Sequence, residues 1–140
     1  MTRLVVDASV AVKWFVPEEL SGEARDVLAD GWTLMAPDLL WVELGNALWK
    51  KHRRRELDER TARRILRDFS RVPLEFHGAE QWAGAALALA MQHGITVYDG
   101  LYLALAAGHG CRLVTADRRL HQACREGGLR DLVGLVGESR

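Results

Sequence analysis

The chain has 140 residues, 49% of them hydrophobic, and its 19 basic residues are balanced by 19 acidic ones. This length is typical of one domain with its own core, so we expect residues 1–140 to form a single domain. No apolar run reaches bilayer length and no signal-peptide pattern precedes Asp7, which argues against a membrane protein and predicts a cytoplasmic one.

Short β-branched segments alternate with longer helical patterns, which is typical of an α/β fold. The predicted strands are residues 3–6, 32–36, 74–77, 112–115 and about 132–136. Predicted helices begin at about residues 9 and 21 and then cover 38–54, 58–70, 79–93, 99–107 and 118–126. We expect Asp38 to cap the third of these helices. Parallel strands with helices on both faces would bury this pattern.

The charge balance hides a local asymmetry. Residues 50–71 contain ten Lys or Arg and four acids, a net charge of +6, so the rest of the chain carries −6. One face could therefore meet phosphate while another attracts a cation or a basic partner. A solvated basic helix pair explains the same pattern equally well.

Two carboxylates follow predicted strands directly. Asp7 interrupts the apolar run of residues 4–16 where the first strand ends, and Asp117 lies just past the strand at 112–115. Ligands of parallel sheets bind outside the carboxyl ends of the strands, so we expect both acids at one edge of the sheet. Asp117 could equally cap the helix that follows it.

Two further carboxylates lie in apolar helices. Glu43 falls inside the apolar stripe of its helix, with Asn46 on nearly the same face, and Asp99 is the only charge in residues 94–108. A buried salt bridge to an arginine could explain Glu43, and a plain N-cap could explain Asp99. Together, however, four acids at mutually reachable places predict a site for Mg²⁺ or Mn²⁺, which prefer carboxylate and water oxygens.

Four segments, in this order, carry a family resemblance: VVDASV with Asp7, ELGNAL with Glu43, YDGLYLALA with Asp99 and LVTADRRL with Asp117. The intervals between these acids are 36, 56 and 18 residues. The whole chain resembles the PIN-domain ribonucleases and, within them, the VapC-type toxins of bacterial toxin–antitoxin pairs. The one unusual position is Gly100, where alanine would be more common.

The resemblance implies a three-layer α/β/α domain whose five-stranded parallel sheet has the order 3-2-1-4-5, with an acidic pocket at its carboxyl edge. The ion would be held chiefly by Asp7 and Asp99, with Asp117 completing its surroundings or helping to hold a second ion. Glu43 would position the attacking water or take its proton. Three polar side chains would orient these groups, namely Ser9, Asn46 and Thr115.

The resemblance also implies partners: an RNA substrate, a cognate antitoxin and a second copy of the chain in a homodimer. We expect residues Arg53, Arg54 and Arg55 to contact RNA phosphates. Trp41 and Trp49 widen the apolar surface of their helix, which indicates a groove for an antitoxin helix, a dimer face or ordinary core packing.

Two other classes of protein remain possible from the sequence. The first is a catalytically silent binding module on the same fold, although such a module would be expected to have lost acids that are all present here. The second is an aspartate-nucleophile phosphohydrolase or dehalogenase, which usually has a second acid where Ser9 stands or a lysine in a later loop. The only lysines are at positions 13, 50 and 51.

Overall fold

The structure, a computed structural model, describes residues 3–138. The strands within this range are β1 Arg3–Val6, β2 Thr33–Pro37, β3 Leu74–His77, β4 Arg112–Thr115 and β5 Val133–Leu135. The α-helices are α1 Ala8–Ala11, α2 Ser21–Ala29, α3 Leu39–Arg53, α4 Glu59–Phe69, α5 Ala79–His93, α6 Val97–Gly108 and α7 Arg118–Glu126. Two short 3₁₀ turns cover Val12–Trp14 and Arg130–Leu132.

The five strands form one parallel sheet in the order β3-β2-β1-β4-β5, which confirms the predicted α/β fold and strand order. At the centre, Val5 of β1 is paired with Met35 of β2 on one side and with Leu113 of β4 on the other. The chain builds the sheet outward from β1 in one direction and then, from β4, in the other. The order therefore reverses between β1 and β4, and a crevice opens there at the carboxyl edge.

Helix α6 is buried on nearly every side, because it packs against the sheet and is covered by α5. The backbones of the two helices are in close contact at Gly100. A Cβ atom at this position would lie 2.6 Å from the carbonyl oxygen of Ala86 in α5, a distance that real Cβ atoms do not tolerate. The unusual glycine is therefore explained by the close contact between α5 and α6.

Asp38 is at the N-cap position of α3, as predicted, but its side chain makes no hydrogen bond to its own helix. Its Oδ1 instead accepts a hydrogen bond from the backbone N–H of Ala79, at 3.1 Å, and its own N–H donates to the carbonyl of His77, at 2.9 Å. Asp38 therefore links the start of α3 to the start of α5, a long-range contact that local sequence does not show.

Other differences from the predicted elements lie at their ends. Strand β2, Thr33–Pro37, begins and ends one residue later than predicted. Helix α6 begins at Val97, two residues before the predicted start, because Thr96 is its cap. Cys111 and Cys124 are both free thiols. No helix within residues 3–138 combines the length and the apolar character needed to span a membrane.

Trp41 belongs to the core. Its ring lies 4.8 Å from that of Phe69 and 5.7 Å from that of Phe76, so it joins α3 to α4 and β3. Trp49, two turns further along α3, is 51% exposed. Trp41 and Trp49, which were both expected to widen the apolar surface of their helix, therefore have different surroundings.

Candidate active site

The four acids identified in the sequence line one cavity of about 420 Å³. Asp7 directly follows β1, and Asp117 lies two residues after β4, the neighbouring strand. Glu43 projects from α3 and Asp99 from the first turn of α6. The cavity therefore occupies the crevice at which the strand order reverses, where α/β sheets place their ligands.

Asp7 is 8% exposed and is held by hydroxyl and backbone donors. Its Oδ1 accepts hydrogen bonds from Ser9 Oγ at 2.6 Å and from the backbone N–H groups of Ser9 and Val10 at 3.1 and 3.3 Å. Its Oδ2 accepts one from Thr115 Oγ1 at 2.6 Å. Burial raises the pKa of Asp7, the hydrogen bonds oppose that rise, and the nearby charge of Asp117 adds to it.

Ser9 and Thr115 also connect the ends of the two central strands. Ser9 Oγ accepts a hydrogen bond from the N–H of Ala116 at 2.8 Å, and Thr115 Oγ1 accepts one from the N–H of Asp117 at 3.1 Å. Each hydroxyl thus donates to Asp7 and accepts from the backbone after β4. The rotamers of both hydroxyls are therefore set by partners on two sides.

Glu43 pairs with a tyrosine and not with an arginine, so the expected alternative of a buried salt bridge is wrong. Its Oε1 accepts a hydrogen bond from the Tyr102 hydroxyl at 2.6 Å. Burial raises the pKa of Glu43, the hydrogen bond from Tyr102 opposes the rise, and the charges of Asp7 and Asp99 add to it. The carboxyl is oriented by a neutral donor, and no basic side chain within residues 3–138 lies at salt-bridge distance from it.

Tyr102 is a site residue that the sequence interpretation missed. It is 2% exposed and lies three residues after Asp99, on the same side of α6. Burial and the adjacent Glu43 carboxylate raise the pKa of Tyr102, so its hydroxyl stays protonated and donates. The sequence contained one available signal, because a tyrosine hydroxyl in a helix buried all round must find a partner.

Asp99 does not cap α6, and the alternative that it is a plain N-cap is wrong. The cap is Thr96, whose Oγ1 accepts a hydrogen bond from the Asp99 N–H at 3.0 Å. Burial raises the pKa of the Asp99 carboxyl, a hydrogen bond with Thr96 opposes that rise, and the charge of Asp117 adds to it. Asp99 therefore contributes a partly buried negative charge to the cavity.

Asp117 has both of the features that the sequence allowed. It caps α7, because its Oδ1 accepts hydrogen bonds from the N–H groups of Arg119 and Leu120 at 3.0 and 3.2 Å. It also lines the cavity with the other three acids. Both cap bonds fall on Oδ1, so within the described chain Oδ2 is left without a protein donor, as is Oε2 of Glu43.

The cavity combines negative charge with a lack of ion pairs. In the part of the chain that the structure describes, none of the four acids lies within salt-bridge distance of a basic side chain. No group of three His, Cys, Asp or Glu side chains in this part forms a ready-made metal site. The donors themselves fit a hard divalent cation, because they are carboxylate oxygens whose repulsion such an ion would offset.

The remaining predicted residues lie at or beyond the rim of this cavity. Asn46 lines it, as does Lys50, which the sequence interpretation did not include. Arg53 and Arg54 line a separate cavity further along α3. Arg55 lies outside both, in the turn after the helix, where its backbone has a left-handed φ of 63°.

Comparison with known proteins identifies similar chains over most of this length. The profile of the PIN domain family matches residues 4–126. Ribonuclease VapC3 from Pyrobaculum aerophilum is 40% identical over 120 residues, which are 84% of this chain and 92% of that relative.

Two solved structures show the same arrangement of elements. The crystal structure of PAE2754 from Pyrobaculum aerophilum aligns with a TM-score of 0.71 and 25% identity, over 96% of this chain and 84% of that one. A toxin–antitoxin complex from Klebsiella pneumoniae contains a chain that aligns with a TM-score of 0.60 and 20% identity, over 81% of this chain and 86% of that one. The second similarity supports the fold alone.

Proposed function

The chain belongs to the PIN-domain family and, within it, to the VapC type, and from this premise we propose that it is a metal-dependent endoribonuclease that acts as the toxin of a toxin–antitoxin pair. The observation that carries the proposal is the convergence of four acids in one cavity of the fold's ligand crevice. The name of the 40% identical relative, a ribonuclease, supports RNA as the substrate. We treat residues 1–140 as one PIN domain.

In this proposal Asp7 and Asp99 hold Mg²⁺, for which Mn²⁺ can substitute, and Asp117 completes the ligands or helps to hold a second ion. When bound, the cation lowers the pKa of a water and neutralises charge on the scissile phosphate. Ser9 and Thr115 keep the Asp7 carboxylate in one orientation through their 2.6 Å hydrogen bonds. Oδ2 of Asp7 accepts one of these bonds against three on Oδ1, so it retains more capacity to bind an ion.

Glu43 accepts the proton of the attacking water in this proposal. Tyr102 holds Oε1, which leaves Oε2 to receive the proton, and a raised pKa suits a carboxylate that acts as a general base. Asn46, on the same helix and in the same cavity, orients Glu43 or the water. The water oxygen bonds to phosphorus as the bond to the 3′ oxygen breaks, which yields 5′-phosphate and 3′-hydroxyl ends.

The test is cleavage of a labelled structured RNA by the purified protein with chelator, with Mg²⁺ and with Mn²⁺. We expect cleavage only with metal, and Asp99→Asn should abolish it while the protein stays folded. The matched control is Glu80→Gln, which removes an exposed acid from the first turn of the neighbouring helix α5 and should leave cleavage unchanged.

The same experiment separates this proposal from its rivals. RNA binding without cleavage under any metal condition would indicate a silent binding module. Trapping of a phosphoryl or ester intermediate on Asp7 would indicate an aspartate nucleophile. Metal-dependent cleavage that Asp99→Asn does not reduce would move the reaction to another site.

We propose that a cognate antitoxin, encoded beside this chain, inhibits it in the cytoplasm. The cavity carries negative charge without ion pairs, so an antitoxin with a basic or amphipathic tail complements it. If expression of the toxin arrests growth, co-expression of that neighbour should restore growth. Growth arrest that persists although the two proteins co-purify would exclude inhibition by this antitoxin.

We also propose a homodimer. Three exposed large apolar side chains of α5 and α6 lie outside the lining of the acid cavity and are the candidates for the surface that a second copy would cover, namely Leu87, Met91 and Val97. Sedimentation should show a dimer for the wild type, and Met91→Glu, at a position that is 73% exposed, should shift it toward the monomer without unfolding it. A wild-type monomer at all concentrations would contradict the proposal.

A further inference from the structure

Trp49 is the only exposed tryptophan within residues 3–138, with 51% of its surface open to water. Its position near the end of α3 keeps the indole outside the aromatic cluster that holds Trp41. The guanidinium of Arg53, one turn further along the helix, lies 4.9 Å from the centre of the indole ring. A large aromatic surface is thus kept in the open and held by a cation–π contact.

The surroundings of this ring are basic. A cavity of about 290 Å³ is lined by Trp49, Lys50, Arg53 and Arg54, and no acid contributes to the lining among the described residues. A surface that combines an aromatic ring with several cations suits a single-stranded nucleic acid, because bases stack on the ring while the phosphates meet the cations. An apolar helix of a partner protein would have to bury three cations beside the ring, which costs free energy unless each is paired.

The basic cavity and the acid cavity are separate but adjacent, because Lys50 lines both of them. Glu43, Asn46 and Lys50 are spaced so that they follow one face of α3, which leads from the acids toward Trp49 and Arg53. Trp49 lies six residues after Glu43, which corresponds to about 9 Å along the helix axis and about 120° around it. Lys50 lies on the face of Glu43 and directly follows Trp49, so a strand that passes Lys50 on leaving the acid cavity is led toward the indole.

We propose that Trp49, together with Lys50, Arg53 and Arg54, forms a stacking site for an unpaired base of the RNA strand whose scissile phosphate lies in the acid cavity. This inference rests on the proposed ribonuclease function. Trp49 supplies the ring for the base, Arg53 keeps the ring in place, and Lys50 and Arg54 meet the flanking phosphates. Because every base has a face that stacks, the site selects single-stranded RNA and not a particular sequence.

The experiment compares two short fluorescein-labelled single strands of RNA, one normal and one with abasic sites, by anisotropy in the presence of chelator. We expect Trp49→Leu to weaken binding of the normal strand by about 5- to 100-fold and to leave binding of the abasic strand unchanged. Trp49→Phe, which keeps an aromatic ring, should recover most of the lost affinity. Gln122→Leu, which puts the same leucine at an exposed position of α7, is the control and should behave as wild type.

Equal affinity of wild type and Trp49→Leu for the normal strand would overturn the inference. The inference would also fail if Trp49→Leu bound both RNA strands as wild type does but showed, by sedimentation, weaker antitoxin binding or a weaker dimer. The indole ring would then belong to a protein interface. Metal-dependent cleavage by the wild type is measured separately. If the wild type cleaves RNA and Trp49→Leu binds it normally, the inference alone fails, whereas a wild type that does not cleave RNA contradicts the proposed function itself.

Discussion

Asp7 and Glu18 are both carboxylates that accept more than one hydrogen bond, but their surroundings differ: the donors to Asp7 are neutral, whereas the donors to Glu18 are positively charged. Asp7 accepts from hydroxyl and backbone donors only. Glu18 accepts from the ammonium groups of Lys51 at 2.6 Å and Lys13 at 3.2 Å. Partial burial raises the pKa of Glu18, but the two lysines outweigh it and the pKa is lowered, whereas the pKa of Asp7 is raised.

The difference shows what distinguishes a structural acid from a candidate catalytic one. Neutral donors orient a carboxylate without cancelling its charge, whereas lysines do both. The cluster of Lys13, Glu18 and Lys51 therefore holds the segment after α1 against α3. The acid cavity keeps oriented charge that a cation can use, at a cost in stability when the cation is absent.

The largest expected effect comes from removing the charge of each of these two acids in turn. Asp7→Asn should lower the rate of metal-dependent RNA cleavage by about 10³-fold or more, because it removes a charged ligand that supplies several kcal/mol of transition-state stabilisation. Glu18→Gln should leave the cleavage rate unchanged and lower the melting temperature, because it removes two ion pairs. Initial rates and circular dichroism measure both. A fully active Asp7→Asn protein would remove Asp7 from the site.

The second prediction concerns the helix that positions Asp99. Gly100→Ala should lower the free energy of unfolding by about 1–3 kcal/mol, because the new Cβ would meet the backbone of α5. Cleavage should fall as well, because Asp99 immediately precedes the displaced residue. The control is Gly84→Ala on α5, where a Cβ meets nothing within 4 Å and should stabilise the helix by up to about 1 kcal/mol. Urea unfolding checks both values, and equal stability of the two variants would contradict the close helix contact.

The third prediction uses the opposite pKa shifts. A carboxyl whose pKa is raised in the folded state binds more protons when folded, so its contribution to stability falls as the pH rises from its unfolded pKa through its folded pKa. Metal-free wild type should therefore lose stability relative to Asp99→Asn as the pH rises from about 4, the ordinary carboxyl pKa, to about 7.5. Asp99→Asn should raise the melting temperature of the metal-free protein at about pH 7.5. Each gain of about 1 kcal/mol in the free energy of unfolding corresponds to a rise of about 4 °C.

The loss of melting temperature that Glu18→Gln causes should have the opposite pH dependence, because it should be largest near neutral pH and shrink as the pH falls. The pKa of Glu18 is lowered, so its stabilising effect is present above its unfolded pKa and is lost as the pH falls through its folded pKa.

Added Mn²⁺ should stabilise wild type and Glu18→Gln equally, and Asp99→Asn less. An Asp99→Asn protein that melts lower without metal and gains as much from Mn²⁺ as wild type would exclude Asp99 from the cation site.

The smallest expected effect concerns the basic end of α3. Replacement of Arg53, Arg54 and Arg55 by Gln should weaken RNA binding for all sequences and reduce the slope of log K against log salt by about 0.7 for each phosphate that an arginine no longer neutralises. We expect the smallest share from Arg55, since it lies outside the cavity of the other two. The control replaces three exposed arginines elsewhere, Arg25, Arg125 and Arg130. Equal slopes for the two triple variants would mean that the run is only a solvated face.

Much of the fold could be predicted because it depends on short-range pattern. The bounds of β1, β3 and β4 were predicted correctly, since short segments with β-branched or alternating apolar residues between turn signals are typical of strands. The four acids were recognised because a charge in an apolar run is costly unless it has a purpose. Their gathering in one cavity follows from the carboxyl ends of adjacent parallel strands and from the family resemblance.

The features that could not be predicted are long-range contacts. Tyr102 reads as an apolar residue of a buried helix, and its partner Glu43 is 59 positions away. Asp38 has the sequence of a cap, yet it binds the amide of Ala79, 41 positions away. Lys50 was seen as one cation in a basic run, and only the packing of α3 beside the strand ends brings it to the rim of the cavity.

The sequence by itself determined the alternation of strands and helices, the parallel sheet and the four carboxylates that interrupt apolar segments. Only the tertiary structure decided which distant groups donate to two of the acids: Tyr102 to Glu43 and Lys51 to Glu18. The physical reason is that helices and strands are predicted from the order of apolar and polar side chains, which is a property of neighbouring residues in the sequence. The electrostatic state of a carboxylate depends on burial and on the charge of its donors, and for Glu43 and Glu18 important donors come from elements distant in the chain.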